Sequence, residues 1–161
     1  MIKKLFFISL LFTGCTLSTP TQFSEKALND MFITLDNDSI TFKEILFKYK
    51  GKKVLIDVWA SWCKDCIVGL PRAKELQKEF PETVFLFLSL DKTVDSWKRG
   101  IKRFDIKGEH YFMQSGWDGN FGDFLNLNWI PRYVVVDEEG KISMFKATKS
   151  KSKRIVNALK K

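Results

Sequence analysis

Histidine occurs once in this 161-residue chain, at His110, and cysteine three times, at Cys15, Cys63 and Cys66. That scarcity excludes most chemistry built on clusters of these residues. A Cys-x-x-Cys pair can be half of a zinc site, but no second pair exists and one histidine does not complete it, so no metal is expected. No apolar stretch is long enough to span a bilayer as a mature helix. There is no internal repeat, and proline is limited to Pro20, Pro71, Pro81 and Pro131. What the chain has in quantity is apolar and basic. Hydrophobic residues make up 45%, with 15 phenylalanines, which argues for one globular domain and against disorder. The formal net charge is +8.

The informative stretch is Val54 to Pro71, VLIDVWASWCKDCIVGLP. Val54, Leu55, Ile56, Val58 and Trp59 form an apolar, β-favouring run suited to a central strand. A helical pattern begins at or near Cys63. A thiol there faces unpaired N–H groups and the positive end of the helix dipole, which favour thiolate. Lys64 acts in the same direction and Asp65 opposes it. A thiolate attacks disulfides, and Cys66, three residues on, can resolve the resulting mixed disulfide. Cys63, nearer the helix start, is expected to be the more exposed of the two. The dull alternative is an inert stabilising bridge, disfavoured because so short a loop constrains the unfolded chain little.

With W-A-S-W-C-x-x-C at its centre, the chain resembles the thioredoxin fold, and within it the TlpA/ResA-like thiol-disulfide oxidoreductases of the bacterial envelope. The resemblance runs from about Phe32 to the C-terminus. It implies a buried carboxylate at Asp57 beneath the cysteine pair. Burial raises a carboxyl pKa, which suits a group that takes a proton from Cys66; the alternative is a polar strand residue bonded to backbone. Pro71 matches the proline that kinks the first helix. Ile130-Pro131-Arg132 looks like the family's cis-proline loop, with Pro131 cis rather than trans at a strand start. Ile130 would offer backbone groups to an extended substrate segment. Trp59 is assigned to the core. Trp62 is assigned to an apolar substrate rim, a purely structural role being the alternative. Lys64-Asp65 departs from the usual Gly-Pro between the cysteines, so the resemblance leaves the redox potential open.

Residues 1–14, MIKKLFFISLLFTG, combine Lys3 and Lys4 with a short apolar run and read as an export signal. Thr13-Gly14-Cys15 is similar to the end of a bacterial lipobox, although Phe12 stands where leucine is usual. Pairing Cys63 with Cys66 leaves Cys15 over, which suits lipidation there. Removal of Lys3 and Lys4 from the 27 basic residues leaves 25 against 19 acidic, a net charge of about +6. Residues 15–30 read as a tether whose apolar Phe23, Ala27 and Leu28 can dock on the domain that follows, 31–161. The expected protein is exported and anchored to the membrane of the cell envelope. It carries no nucleic-acid motif.

Around the central stretch the pattern predicts a hairpin (Phe32–Leu35 and Ile40–Phe42), a short helix at Glu44–Tyr49, and a helix from the cysteines to about Phe80. A buried strand follows at Thr83–Leu90, then a helix at Ser96–Phe104, a short strand at Tyr111–Met113 and a helix at Asn120–Leu127. A hairpin of Tyr133–Val136 with Lys141–Phe145 and a basic helix at Ser150–Lys161 close the chain. The fold class is α/β: a three-layer thioredoxin-like sandwich, its mixed sheet flanked by helices, with an added N-terminal β-hairpin. The basic residues gather at Lys146, Lys149, Lys151, Lys153, Arg154, Lys160 and Lys161; they form a solvated face or attract anionic lipid heads.

The resemblance implies a thiol-disulfide oxidoreductase acting on protein disulfides or dithiols, with net reduction fed by a membrane thiol-disulfide electron donor, as in cytochrome c maturation. The cysteine pair is itself the redox centre, so no cofactor is expected. The rivals are a disulfide oxidase or isomerase, a non-enzymatic binding module, and a peroxiredoxin-like antioxidant protein. The last normally carries P-x-x-x-T-x-x-C, which this chain lacks.

Overall fold

The structure, a computed structural model, describes residues 19–161. The signal segment 1–14, Cys15 and the first part of the tether lie outside the described residues. At the centre is β3 (Val54–Trp59), in which all six residues are buried. It pairs in parallel with β4 (Val84–Ser89) and antiparallel with β6 (Arg132–Val136). Beyond β4 lies parallel β5 (Glu109–Met113), and beyond that the hairpin of β1 (Met31–Ile33) and β2 (Ser39–Thr41). β7 (Ile142–Ala147) closes the other edge, giving the order β2-β1-β5-β4-β3-β6-β7.

The connections β3–β4 and β4–β5 run through α3 (Lys64–Glu79) and α4 (Val94–Phe104). Two right-handed crossovers moving in the same direction across a sheet place both helices on one face. Their contact agrees, with the Lys74 ammonium 3.5 Å from the Phe104 carbonyl and the Gln77 amide donating to the Lys107 carbonyl. Trp97 of α4 packs on Phe112 of β5. Met113, one residue on, points to the opposite face, and so does its strand partner Phe32. There Phe32 joins Phe42 and Phe121, and Phe23 packs on both of those. These rings tie down α1 (Glu25–Leu28), α2 (Phe42–Lys48) and α5 (Asn120–Phe124). The basic helix α6 (Lys153–Lys160) buries Ile155, Ala158 and Leu159. The arrangement is the expected three-layer sandwich.

Several boundaries differ from the sequence expectation, each for a local reason. Phe42 opens α2 rather than ending β2, because Thr41 and Glu44 form a capping box. Thr93 and Ser96 do the same for α4, which therefore starts at Val94. The last predicted helix begins at Lys153, behind the N-cap Ser152. α5 ends at Phe124, and Asn126 just beyond takes a left-handed φ of 45°. The packed body also begins before Met31: Phe23 and Ala27 are buried, and the Thr21 carbonyl accepts from the Ile142 N–H at 2.8 Å.

Candidate active site at the Cys63–Cys66 disulfide

β3 delivers the chain to the turn Ala60-Ser61-Trp62, which a carboxylate from the neighbouring strand holds. The Asp91 carboxylate, just past the end of β4, accepts from the Ser61 N–H at 3.1 and 3.2 Å and from the Ser61 hydroxyl at 2.6 Å. The Ser89 hydroxyl, 2.8 Å away, donates to the other Asp91 oxygen. Cys63 then caps α3, and the Cys66 N–H points at its Sγ from 3.1 Å. The two cysteines are disulfide-bonded, with Cα atoms 5.3 Å apart. Both are buried, so the expected difference in exposure is small; what separates them is that Cys63, unlike Cys66, lines a surface cavity. In the dithiol form the helix N–H groups would stabilise a Cys63 thiolate.

The cavity beside Cys63 measures about 390 Å³ and is bounded by Trp62, Trp117, Trp129, Asn128, Ile130, Lys64 and Asp65. Trp62 and Trp129 are 53% and 58% exposed, large apolar groups left open to solvent. Trp62 therefore stands on a rim, whereas Trp59 is fully buried. The Ile130–Pro131 peptide is cis, and the Ile130 carbonyl oxygen lies 3.8 Å from the Cys63 sulfur. A Cys63 S–H could donate to that carbonyl in the reduced state, and the same oxygen opposes a thiolate. Backbone N–H and C=O thus compete over one sulfur.

Arg132 holds this loop from beneath. Its side chain is wholly buried and donates to the Leu125 and Asn126 carbonyls, with Asn128 Oδ1 at 3.5 Å. It thereby satisfies backbone acceptors at the end of α5. Among the described residues it has no carboxylate partner.

Asp57 pairs with Phe87 on one side and Tyr133 on the other. Phe87 stacks on His110, which shares a face with Phe112, so Asp57 points to the face covered by α3 and α4. Its Oδ1 is buried and, among the described residues, has no hydrogen-bond partner, and burial pushes the carboxyl up to about 8. The backbone-bonded alternative finds no partner at this oxygen. The Tyr133 ring reaches α3: a methyl group at Gly69, one turn beyond Cys66, would sit 3.1 Å from its hydroxyl. Burial, and secondarily the Asp57 charge, raise the Tyr133 pKa. His110 is stacked and bonded to the Ile106 carbonyl, and burial lowers its pKa. Among the described residues no three His, Cys, Asp or Glu side chains gather to hold a metal.

Residues 51–142 match the thioredoxin-like family model, more than half of the chain. The chain belongs to the thioredoxin-like family. Among curated relatives, the thioredoxin-like protein YneN of Bacillus subtilis is 29% identical over 62% of this chain and 59% of its own length. The thiol-disulfide oxidoreductase ResA of Bacillus thuringiensis is 24% identical over 75% of this chain and 67% of its own. The chain thus spans about three-fifths to two-thirds of these relatives. A solved candidate thiol-disulfide oxidoreductase from Bacteroides vulgatus superposes with a TM-score of 0.68 at 29% identity, covering 84% of this chain and 87% of that one.

Sequence reasoning placed Cys63, Cys66, Asp57, Trp62, Ile130 and Pro131, and the structure brings Cys63, Trp62 and Ile130 to one cavity. It missed Asp91, Trp117 and Trp129 as parts of this thioredoxin-like site, and it placed Arg132 in the cis-proline loop without its anchoring role. Asp91 carried a signal: it is the first polar residue after a buried parallel strand, at the carboxyl end where open α/β sheets place their sites. Arg132 carried another, a lone charge opening an otherwise apolar strand.

Proposed function

We propose that this protein is a thiol-disulfide oxidoreductase that reduces disulfides in exported proteins. One observation carries the reading: a disulfide at a helix N-terminus opens onto a tryptophan-walled cavity edged by a backbone carbonyl. In the reduced protein the Cys63 thiolate attacks one sulfur of a substrate disulfide, and the other substrate sulfur leaves as a thiolate. Cys66 gives its proton to Asp57 in the fraction of molecules in which that raised carboxyl is ionised, and attacks the Cys63 sulfur. The second substrate thiolate leaves, two electrons have moved to the substrate, and the Cys63–Cys66 bond is restored. Substrate backbone meets Ile130, and the rims of Trp62 and Trp129 take its apolar side chains.

Turnover then needs a membrane dithiol donor to reduce the disulfide again. Lipidation of Cys15, after removal of residues 1–14, would hold the domain on the envelope membrane, where cytochrome c maturation is a candidate user. Among the described residues no helix is long and apolar enough to cross a membrane. The test is trapping: Cys66→Ser should accumulate a mixed disulfide with a disulfide-bonded protein, and Cys63→Ser should accumulate none. Trapping by Cys63→Ser alone would reverse the two roles.

A further inference from the structure

Two grooves flank the disulfide, and both are cationic. The first, about 690 Å³, starts at Ser61, two residues before Cys63, and follows the exposed face of α4 past Arg99, Lys102 and Arg103. Gly100 lets this helix lie against the active-site turn; a methyl group there would sit 2.5 Å from the Ser61 Cβ. The second, about 410 Å³, lies in the loop between β7 and α6 and carries Lys149, Lys151 and Arg154. Its place is fixed by register. Ala147, at the end of β7, pairs with Tyr133, two residues after Pro131, so this loop leaves the sheet at the disulfide end. Ser150 of the same loop packs by Gly69 of α3.

All six cations are exposed, and among the described residues none has a carboxylate within 4 Å. Neither groove is lined by an acidic side chain. The central cavity adds Lys64, offset by Asp65. An apolar cleft with a reactive sulfur thus lies between two positive walls, and like charges left unpaired around a low-dielectric cleft raise the local concentration of anions.

We propose that these grooves select acidic polypeptides, in which the disulfide to be reduced is flanked by Asp or Glu. This deepens the proposed activity and rests on it. The cations steer the encounter and orient the chain across Trp62 and Trp129, while the bond exchange at Cys63 is unchanged. An acidic protein rather than a lipid surface is the occupant, because a membrane seated on both walls would cover the Cys63 cavity between them.

The test uses the full reduced chain in detergent and three peptides of one length, each with a single cysteine capped as a thiopyridyl disulfide. Flanking residues are Glu, Lys or Ser. Attack by Cys63 on the peptide sulfur releases thiopyridone, read by its absorbance; Cys66 then frees the peptide thiol. At about 0.01 M salt, where screening is weak, the Glu peptide should react at least about tenfold faster than the Lys peptide, with Ser between. At about 1 M salt the three rates should converge. Arg99→Glu with Arg103→Glu, or Lys149→Glu with Lys151→Glu, should shrink the preference, the four changes together should abolish it, and the Ser peptide's rate should stay unchanged. Equal rates for all peptides at low salt would overturn the proposal. So would charge-reversal variants that keep the preference but no longer bind phosphatidylglycerol vesicles, which would assign the cations to lipid. If no peptide reacts at any salt, the oxidoreductase reading itself fails, a result distinct from equal, measurable rates.

Discussion

Replacing Asp57 with Asn removes one titrating group and should change how stability depends on pH. The carboxyl lies in the apolar interior, on the sheet face under α3, and burial holds it at about 8 against 3.8 for a free carboxyl. Below pH 4 both folded and unfolded states keep the proton, and stability does not depend on this group. Between pH 4 and 8 the unfolded chain loses the proton and the folded chain keeps it, so stability falls as pH rises. At about 1.4 kcal/mol per pH unit, the loss from pH 5 to pH 8 is about 4 kcal/mol. That is a large part of the 5–15 kcal/mol typical of a domain. The assay is urea unfolding of the oxidised chain from residue 19, with Cys63 and Cys66 locked so that no thiol titrates. Wild type should lose roughly 3–5 kcal/mol across the window relative to Asp57→Asn, and the variant should be the more stable protein at pH 8. Parallel curves for the two proteins would refute the assignment of a protonated, unpartnered Asp57.

Other substitutions test other parts of the site. Arg132→Met leaves the buried Leu125 carbonyl without its donor, and removes the donor to the Asn126 carbonyl beside it, which should cost about 1–3 kcal/mol in urea unfolding. The same change loosens the Trp129 loop, so KM for a protein disulfide should rise more than the rate with dithiothreitol falls. Gly100→Ala sets a helix-propensity gain of about 1 kcal/mol against a Cβ 2.5 Å from the Ser61 Cβ. Overpacking of that kind costs about 1–3 kcal/mol, so the variant should melt at a lower temperature than wild type. Trp129→Ala removes one wall of the cavity and should weaken binding of an apolar peptide bearing a disulfide by about tenfold, measured as KM, with little change in folding stability.

The parts of this molecule legible from sequence were those encoded locally. Val54–Trp59, apolar but for Asp57, and Val84–Leu88 are short β-favouring apolar runs of the kind that form buried strands. The cysteine spacing and the apolar positions Leu70, Ala73 and Leu76 marked α3. Helix starts were misplaced by a residue or two where the deciding feature was a hydroxyl cap, as at Thr41 and Thr93. The least legible features depend on long-range register. β5 lies between β4 and β1, and β6 beside β3, so the Asp57–Tyr133 pair joins residues about 75 positions apart. No local periodicity carries that information. Trp117 and Trp129 reach the same cavity from loops, where side-chain pattern says least.

A cysteine pair poised to reduce substrate disulfides must have a low reduction potential, which can be measured for Cys63–Cys66 in solution. The oxidised chain is equilibrated with graded glutathione or dithiothreitol buffers, and the dithiol fraction is read by alkylation and mass. The expected value lies near that of thioredoxin, about −270 mV. A value near about −120 mV, that of a strong periplasmic oxidant, would contradict it and make disulfide formation the working reaction.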